Sequence, residues 1–285
     1  MAPSEAVLIT GCSTGIGRAT ALALARAGVP TWATARRIGT LAGLADAGCR
    51  TLELDVTDEA SRERAVKAVE EEHGAVGALV NNAGYALGGA VEELPLDELR
   101  RQFETNVFGL VRMCQLVLPR MRAQHHGTIV NLGSGAGLVA PPASGAYAMT
   151  KFALEALSDA LRLEVSPFGV RVVLLEPGAV RTEFMNTGRD SLRPTGGPYD
   201  AFLRNVGAMA ERATGENARG ALRPEDVART IVKAIAARRP RTRYRLGREA
   251  KVTPTVRRLV PDRAWDRVLL RVTPFEERAG RAKAS

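Results

Sequence analysis

Residues 7–17 read Val7-Leu8-Ile9-Thr10-Gly11-Cys12-Ser13-Thr14-Gly15-Ile16-Gly17, and this stretch decides the fold class. A short apolar run, Ala6 to Thr10, ends in a turn with glycines at 11, 15 and 17, and a helical pattern follows from Gly17 to Ala27. Glycine lets such a turn bend tightly and lets its backbone approach a bound anion. The helix N-terminus adds unpaired N–H donors and a positive dipole. Strand, glycine turn and helix in this order predict a nucleotide-binding βα unit.

Working outward, the same rhythm repeats. Thr31 to Ala35, Thr51 to Leu54, Ala78 to Asn81, Thr128 to Leu132 and Arg171 to Leu175 are short apolar runs, with Thr242 to Leu246 as a seventh candidate strand. Helical patterns lie between them over 61–72, 96–121, 146–165 and 224–237, with a weaker one over 201–212. Continuously apolar strands alternating with helices predict a parallel sheet covered on both faces, a doubly wound Rossmann-like α/β fold. One domain accounts for residues 1–285. The Gly-, Pro- and Arg-rich stretch 179–222 reads as a substrate loop, and 246–285 as a basic helical extension.

Composition narrows the function classes. The 285 residues are 45% hydrophobic and 25% charged, which suits a folded globular chain rather than a disordered one. The longest apolar stretches are cut by Arg26, Arg112 and Arg120, too soon to span a bilayer. A strand begins almost at the N-terminus, so no secretion signal is expected. Cys12, Cys49 and Cys114 are scattered, away from His73, His125 and His126. That usage predicts a reduced, cytoplasmic setting and no metal site.

The net charge of +9 is local: residues 238–285 hold 15 Arg and Lys against 5 Asp and Glu. There Trp265, Val268, Leu269, Leu270 and Val272 interleave with Arg267 and Arg271, as in an amphipathic helix packed on its own protein. Contact with a membrane surface or an anionic partner is the alternative. No aromatic interleaving suggests a nucleic-acid platform, and nucleic acid is not expected as a partner.

Three further residues suggest chemistry. Tyr147 and Lys151 stand at i and i+4, on one helix face. A phenol with a pKa of about 10 is a poor proton carrier at neutral pH, and a nearby ammonium lowers that value. Ser134, thirteen residues before Tyr147, offers a hydroxyl to hold a carbonyl oxygen beside the phenol. An ordinary surface pair is the bland reading of Tyr147 and Lys151. The glycine turn and Ser134 together favour catalysis.

These motifs, in this order, resemble the short-chain dehydrogenase/reductase family over about residues 5 to 250. Thr10 to Gly17 matches its TGxxxGxG turn, Asn81-Asn82-Ala83-Gly84 its NNAG motif, and Tyr147 to Lys151 its YxxxK motif. The resemblance implies a catalytic set of Asn106, Ser134, Tyr147 and Lys151. Hydride passes between nicotinamide C4 and a carbonyl carbon, Tyr147 carries the proton, Lys151 holds the nicotinamide ribose, and Asn106 positions a water. It further implies a cofactor site of Gly11, Ser13, Thr14, Gly15, Ile16, Gly17, Asp55, Val56, Asn82, Ala83, Gly84, Tyr147, Lys151, Pro177, Gly178, Val180 and Thr182. Gly133 stands where relatives often carry a first serine, and is expected only to loosen the turn. Cys12 reads as a small filler within the glycine loop rather than a nucleophile.

The second strand ends in Ala35, Arg36 and Arg37 instead of the acid that would bond ribose hydroxyls. Guanidinium groups can grip a 2′-phosphate, so NADP(H) is the expected cofactor. Leu138, Val139, Phe184, Met185 and Phe202 are candidates for an apolar substrate wall. The resemblance implies a carbonyl reductase acting on an apolar ketone or aldehyde, with polyketide-type or other specialised metabolites equally open as substrates, and a homo-oligomer paired through the helices around 96–121 and 146–165. Oxidation of an alcohol at the same site, or a non-catalytic NADP(H)-binding regulator, is the rival reading.

Overall fold

The computed structural model describes residues 2–215, 218 and 220–276. In chain order its elements are β1 (Val7–Ile9), α1 (Gly15–Arg26), β2 (Thr31–Ala35), α2 (Ala42–Ala45), β3 (Arg50–Glu53), α3 (Glu59–His73), β4 (Ala78–Asn81), α4 (Leu96–Phe103), α5 (Gly109–Ala123), β5 (Gly127–Leu132), α6 (Gly145–Val165), β6 (Val170–Pro177), α7 (Glu183–Asp190), α8 (Asp200–Thr214), α9 (Pro224–Ala236), β7 (Arg243–Leu246), α10 (Arg248–Leu259) and α11 (Asp262–Val272).

All seven strands are parallel, in the order β3-β2-β1-β4-β5-β6-β7. The doubly wound Rossmann-like sheet expected from the sequence is therefore present. Strand order reverses between β1 and β4, and in open α/β sheets ligands collect in the crevice beyond the strand C-termini at that point. Register is fixed by pairs such as Val7 with both Thr31 and Ala78.

Strand residues alternate between two apolar layers. Leu8, Leu79, Ile129 and Val172 point into the layer that holds Val66, Met113, Val117 and Leu154 of α3, α5 and α6. Val7, Ile9, Val80, Val130 and Val173 point into the other, with Ala21 and Leu24 of α1 and Val227 and Ile231 of α9. Both faces are covered, which is why the strands read as continuous apolar runs.

Two expectations needed correction. The helix expected over 96–121 is split by a π-helical turn, Glu104–Phe108, between α4 and α5. In the stretch 179–222, α7 was not foreseen, and α8 extends the weak pattern at 201–212. The helical extension expected over 246–285 is present as α10 and α11, the latter being the amphipathic pattern around Trp265. The remainder of the basic tail, residues 277–285, lies outside the described residues.

Candidate active site

The glycine turn is locked from both sides. Asn82, just after β4, donates from Nδ2 to the carbonyls of Thr10 (2.9 Å) and Gly11 (2.8 Å). Thr10 Oγ1 in return accepts from the backbone N–H groups of Asn82 and Ala83. Cys12 N–H donates to Thr34 O of β2 at 2.7 Å. The packing leaves no room for a side chain at Gly17, where a Cβ would lie 2.5 Å from Asn82 Nδ2 and against Gly11 O. Ser13, Thr14 and Ile16 complete the turn, and Thr14, the N-cap of α1, makes no side-chain capping bond. The first-turn N–H groups of α1 are thus left to a ligand or water. Cys12 is buried within this turn and burial pushes its thiol up to about 12, so it is a filler and not a thiolate.

Asn106 sits on the π turn. Its Oδ1 accepts from Tyr85 N–H (3.0 Å), and its Nδ2 donates to Tyr85 O (2.9 Å) and Thr150 Oγ1 (3.2 Å). Thr150, between Tyr147 and Lys151 on α6, donates to Tyr147 O at 2.8 Å. Asn106 therefore braces the loop after Gly84 against α6. The extra residue of a π turn is a common device for redirecting one side chain at a functional position. Apolar periodicity alone does not report such a turn.

Ser134 follows β5, and its Oγ accepts from Ala136 N–H at 3.1 Å. The glycine before it does more than loosen the chain: a Cβ at Gly133 would lie 2.9 Å from Leu175 O, so the close approach of β5 and β6 requires glycine there. Burial pushes the Tyr147 phenol up to about 12, and its hydrogen bond with the Ser134 side chain works against that rise. Lys151, on the same helix face as the i, i+4 spacing predicts, stands beside the phenol. The amine lies 5.6 Å from the phenol ring centroid, and its Nζ donates to Leu132 O at 2.6 Å. Burial brings Lys151 itself down to about 8.

The far wall comes from the segment after β6. Pro177 closes that strand, Gly178 N–H donates to Leu246 O of β7, and Val180 bridges to Leu222. Thr182, at the N-cap of α7, is close enough to Gly15 that a Cβ there would meet its methyl group at 3.1 Å. Phe184 on α7 packs edge-on against Tyr147, with ring centroids 5.5 Å apart. Leu138, Val139 and Met185 are partly buried, whereas Phe202 is stacked on Phe275 at 4.7 Å. The loop 85–89 completes the enclosure: Gly88 N–H donates to Ser191 Oγ at 2.7 Å. That wall and the Phe275 contact were missed in the sequence. The only signal for the first was the glycine pair at 88–89 after the NNAG motif.

Some expected cofactor residues stand further out. Arg36 and Arg37 are exposed beyond β2 and form no ion pair among the described residues. Asp55 turns its carboxylate onto Thr57 N–H (2.9 Å) and Oγ1 (2.7 Å), and Val56 beside it is buried. Among the described residues, no group of three His, Cys, Asp or Glu is placed to hold a metal ion.

With a glycine turn at the reversal of strand order and a Ser, Tyr, Lys and Asn set beyond β5, the molecule is built as a dinucleotide-dependent enzyme. The family model described as short chain dehydrogenase matches residues 5–192. A 3-ketodihydrosphingosine reductase of Bacteroides thetaiotaomicron is 36% identical over 85% of this chain and 88% of its own. An NADPH-dependent 3-dehydrocapnine reductase of Ornithobacterium rhinotracheale is 32% identical over 92% and 94%. Among solved structures, a short chain dehydrogenase/reductase of Burkholderia phymatum in complex with NAD is 29% identical, with a TM-score of 0.78 over 90% of this chain and 94% of that one. The chain belongs to the short-chain dehydrogenase/reductase family and is an oxidoreductase of that family, whose fold binds a nicotinamide cofactor.

Proposed function

We propose that the protein is an NADP(H)-dependent carbonyl reductase acting on an apolar ketone or aldehyde. The observation that carries the reading is the meeting of Tyr147, Ser134 and Lys151 beside the glycine turn, with Phe184 against the phenol. The residues fit a nicotinamide dinucleotide. The α1 N-terminus is uncapped, and the buried Lys151 ammonium spends one of its three donors on Leu132 O. Gly11 through Gly17 would hold the pyrophosphate, Thr182 the carboxamide, and Lys151 the nicotinamide ribose. Asp55, Val56, Asn82, Ala83 and Gly84 would line the adenosine side. When bound, the cofactor supplies the hydride.

Ser134 orients the substrate oxygen toward the phenol, and Tyr147 donates its proton to that oxygen. A phenol pushed up to about 12 is protonated at neutral pH, which suits reduction better than oxidation. Lys151 keeps a cation beside the phenolate that donation leaves behind, and Asn106 holds the loop and a relay water in place. The preference for NADP(H) rests on Arg36 and Arg37 at an acid-free end of β2, and the NADPH-dependent relative supports it. The apolar substrate rests on Phe184, Leu138, Val139 and Met185, and both similar relatives are named as reductases. Exposed Leu96, Phe108, Met149, Phe152 and Leu163 on the α4 to α6 side favour a homo-oligomer.

The test follows NADPH oxidation against carbonyls graded from small and polar to large and apolar, with Tyr147→Phe alongside. Turnover should rise with apolar size and fall roughly a hundred- to ten-thousandfold in the variant, while NADPH still binds. Turnover that survives in Tyr147→Phe overturns the proton-donor role. NADH used as well as NADPH overturns the cofactor preference.

A further inference from the structure

Helix α10 is anchored from one side. Ala250 and Pro254 are buried, and a Cβ added at Gly135, next to Ser134, would lie 3.7 Å from Ala250, one added at Gly178 3.6 Å from its backbone nitrogen. Its opposite side carries Val252, Val256 and Leu259, spaced i, i+4 and i+7 and all exposed, Leu259 to 80%. Arg248, Lys251 and Arg258 are exposed along one flank of that stripe. Helix α11 repeats the pattern: Arg263, Arg267 and Arg271 form an exposed row at i, i+4 and i+8, beside exposed Val268 and Val272. None of these six cations forms an ion pair among the described residues. Arg257, by contrast, is tied to Asp262 and stacked over Trp265.

We infer that α10 and α11 form a docking surface for an anionic lipid bilayer. A narrow apolar stripe edged by long cationic side chains matches the interface between acyl chains and headgroups, where methylene stems lie in the apolar layer and charges reach the phosphates. A second copy of the chain fits poorly, because residues 238–285 carry a net +10 and would repel their own kind. Phosphates in solution or in nucleic acid would use the cations but leave the stripe without a role. The stripe faces outward, away from the loops around Ser134 and Gly178 that the buried side of α10 packs toward.

The test is co-sedimentation of the full chain with phosphatidylcholine vesicles, with and without phosphatidylglycerol. Two variants run alongside, Val252→Ser/Val256→Ser/Leu259→Ser and Arg263→Gln/Arg267→Gln/Arg271→Gln. Turnover of a small water-soluble carbonyl and mass by light scattering are measured on every protein. The wild type should sediment only with anionic vesicles. The arginine variant should lose roughly fivefold in partitioning per cation removed, and the stripe variant should lose binding as well. Both should keep wild-type turnover and mass. The surface is overturned by no sedimentation of the wild type, equal binding to neutral vesicles, or a change of oligomeric mass in the stripe variant. Binding retained by the stripe variant also overturns it, and marks a plain polyanion site. Failure of the soluble-carbonyl assay in the wild type bears on the reductase reading alone, because the vesicle result stands without turnover.

Discussion

The cofactor side and the substrate side of this molecule are built by different means. Around the glycine turn, contacts are backbone to backbone or short side chain to backbone: Asn82 to Thr10 and Gly11, Cys12 to Thr34, and Asn106 to Tyr85. On the far side, α7, α8, α10 and α11 are helices with few buried residues, held in part by exposed or half-buried side chains. Gly88 bonds Ser191, Tyr199 bonds Glu92, and Phe202 stacks on Phe275. The first region has one arrangement available to it. The second can shift without exposing a core, as expected of the part that must admit and release varied ligands.

The sharpest way to break the cofactor side is Gly17→Ala. The added methyl would press on Gly11 O and Asn82 Nδ2, both fixed by the bonds that make the turn. The expected outcome is a loss of about 2–4 kcal/mol of stability together with loss of NADPH binding, read by thermal melting and by fluorescence titration. Gly207→Ala on α8 is the matched control, because nothing lies within 4 Å of a Cβ there. It should be neutral or stabilising.

Lys151→Met tests the site where the two regions meet. Burial lowers the amine to about 8 from its ordinary 10.5, so the folded protein carries that charge at a cost. Between those two values the unfolded chain binds more protons, so stability should rise with pH in that window in the wild type and not in the variant. At neutral pH the variant should gain about 1–3 kcal/mol while losing turnover. A destabilised variant would show that the bond to Leu132 O outweighs desolvation.

Backbone-built features were the ones legible in the sequence. The strand alternation and the glycine spacing report main-chain geometry directly, and the expected strands fall within two residues of those observed. Side-chain electrostatics were only partly legible. The i, i+4 spacing correctly placed Tyr147 and Lys151 on one helix, but it could not reveal that Leu132 O holds the ammonium and that burial dominates both groups. The π turn at Asn106 escaped because its apolar pattern is that of an ordinary helix. Helix α7 escaped because none of its residues is buried, which leaves little periodicity to read.

A smaller effect is expected where β7 joins the sheet. Glu155, Asp159 and the fully buried Glu176 converge on Arg243, and Arg245 also bonds Glu176. Burial and then the neighbouring Glu176 push Glu155 up to about 7. The folded state therefore holds a proton that the unfolded state has released, and stability should decline as pH rises from about 4.5 through 7. Glu155→Gln should remove about 1 kcal/mol of that decline, visible as a flatter plot of melting temperature between pH 5 and 8.

The mildest perturbation sharpens the substrate side. Phe275 stacks nearly parallel on Phe202 (8° between planes) and lies 6.1 Å from Tyr199, while Asn205 Nδ2 donates to Pro274 O at 2.8 Å. This short strap after α11 packs on α8, which also buries Leu203 and Val206, and among the described residues it is neither bonded to nor stacked on Tyr147, Ser134 or Lys151. Such an aromatic pair contributes about 0.5–1.5 kcal/mol beyond its buried area. Phe275→Ala should therefore loosen α8 without moving the catalytic set. KM for a large apolar carbonyl should rise several-fold, with kcat for a small one unchanged and proteolysis faster within 200–214. A fall in kcat for both would mean that the strap reaches the cofactor side, and that the two regions are less separable than their construction implies.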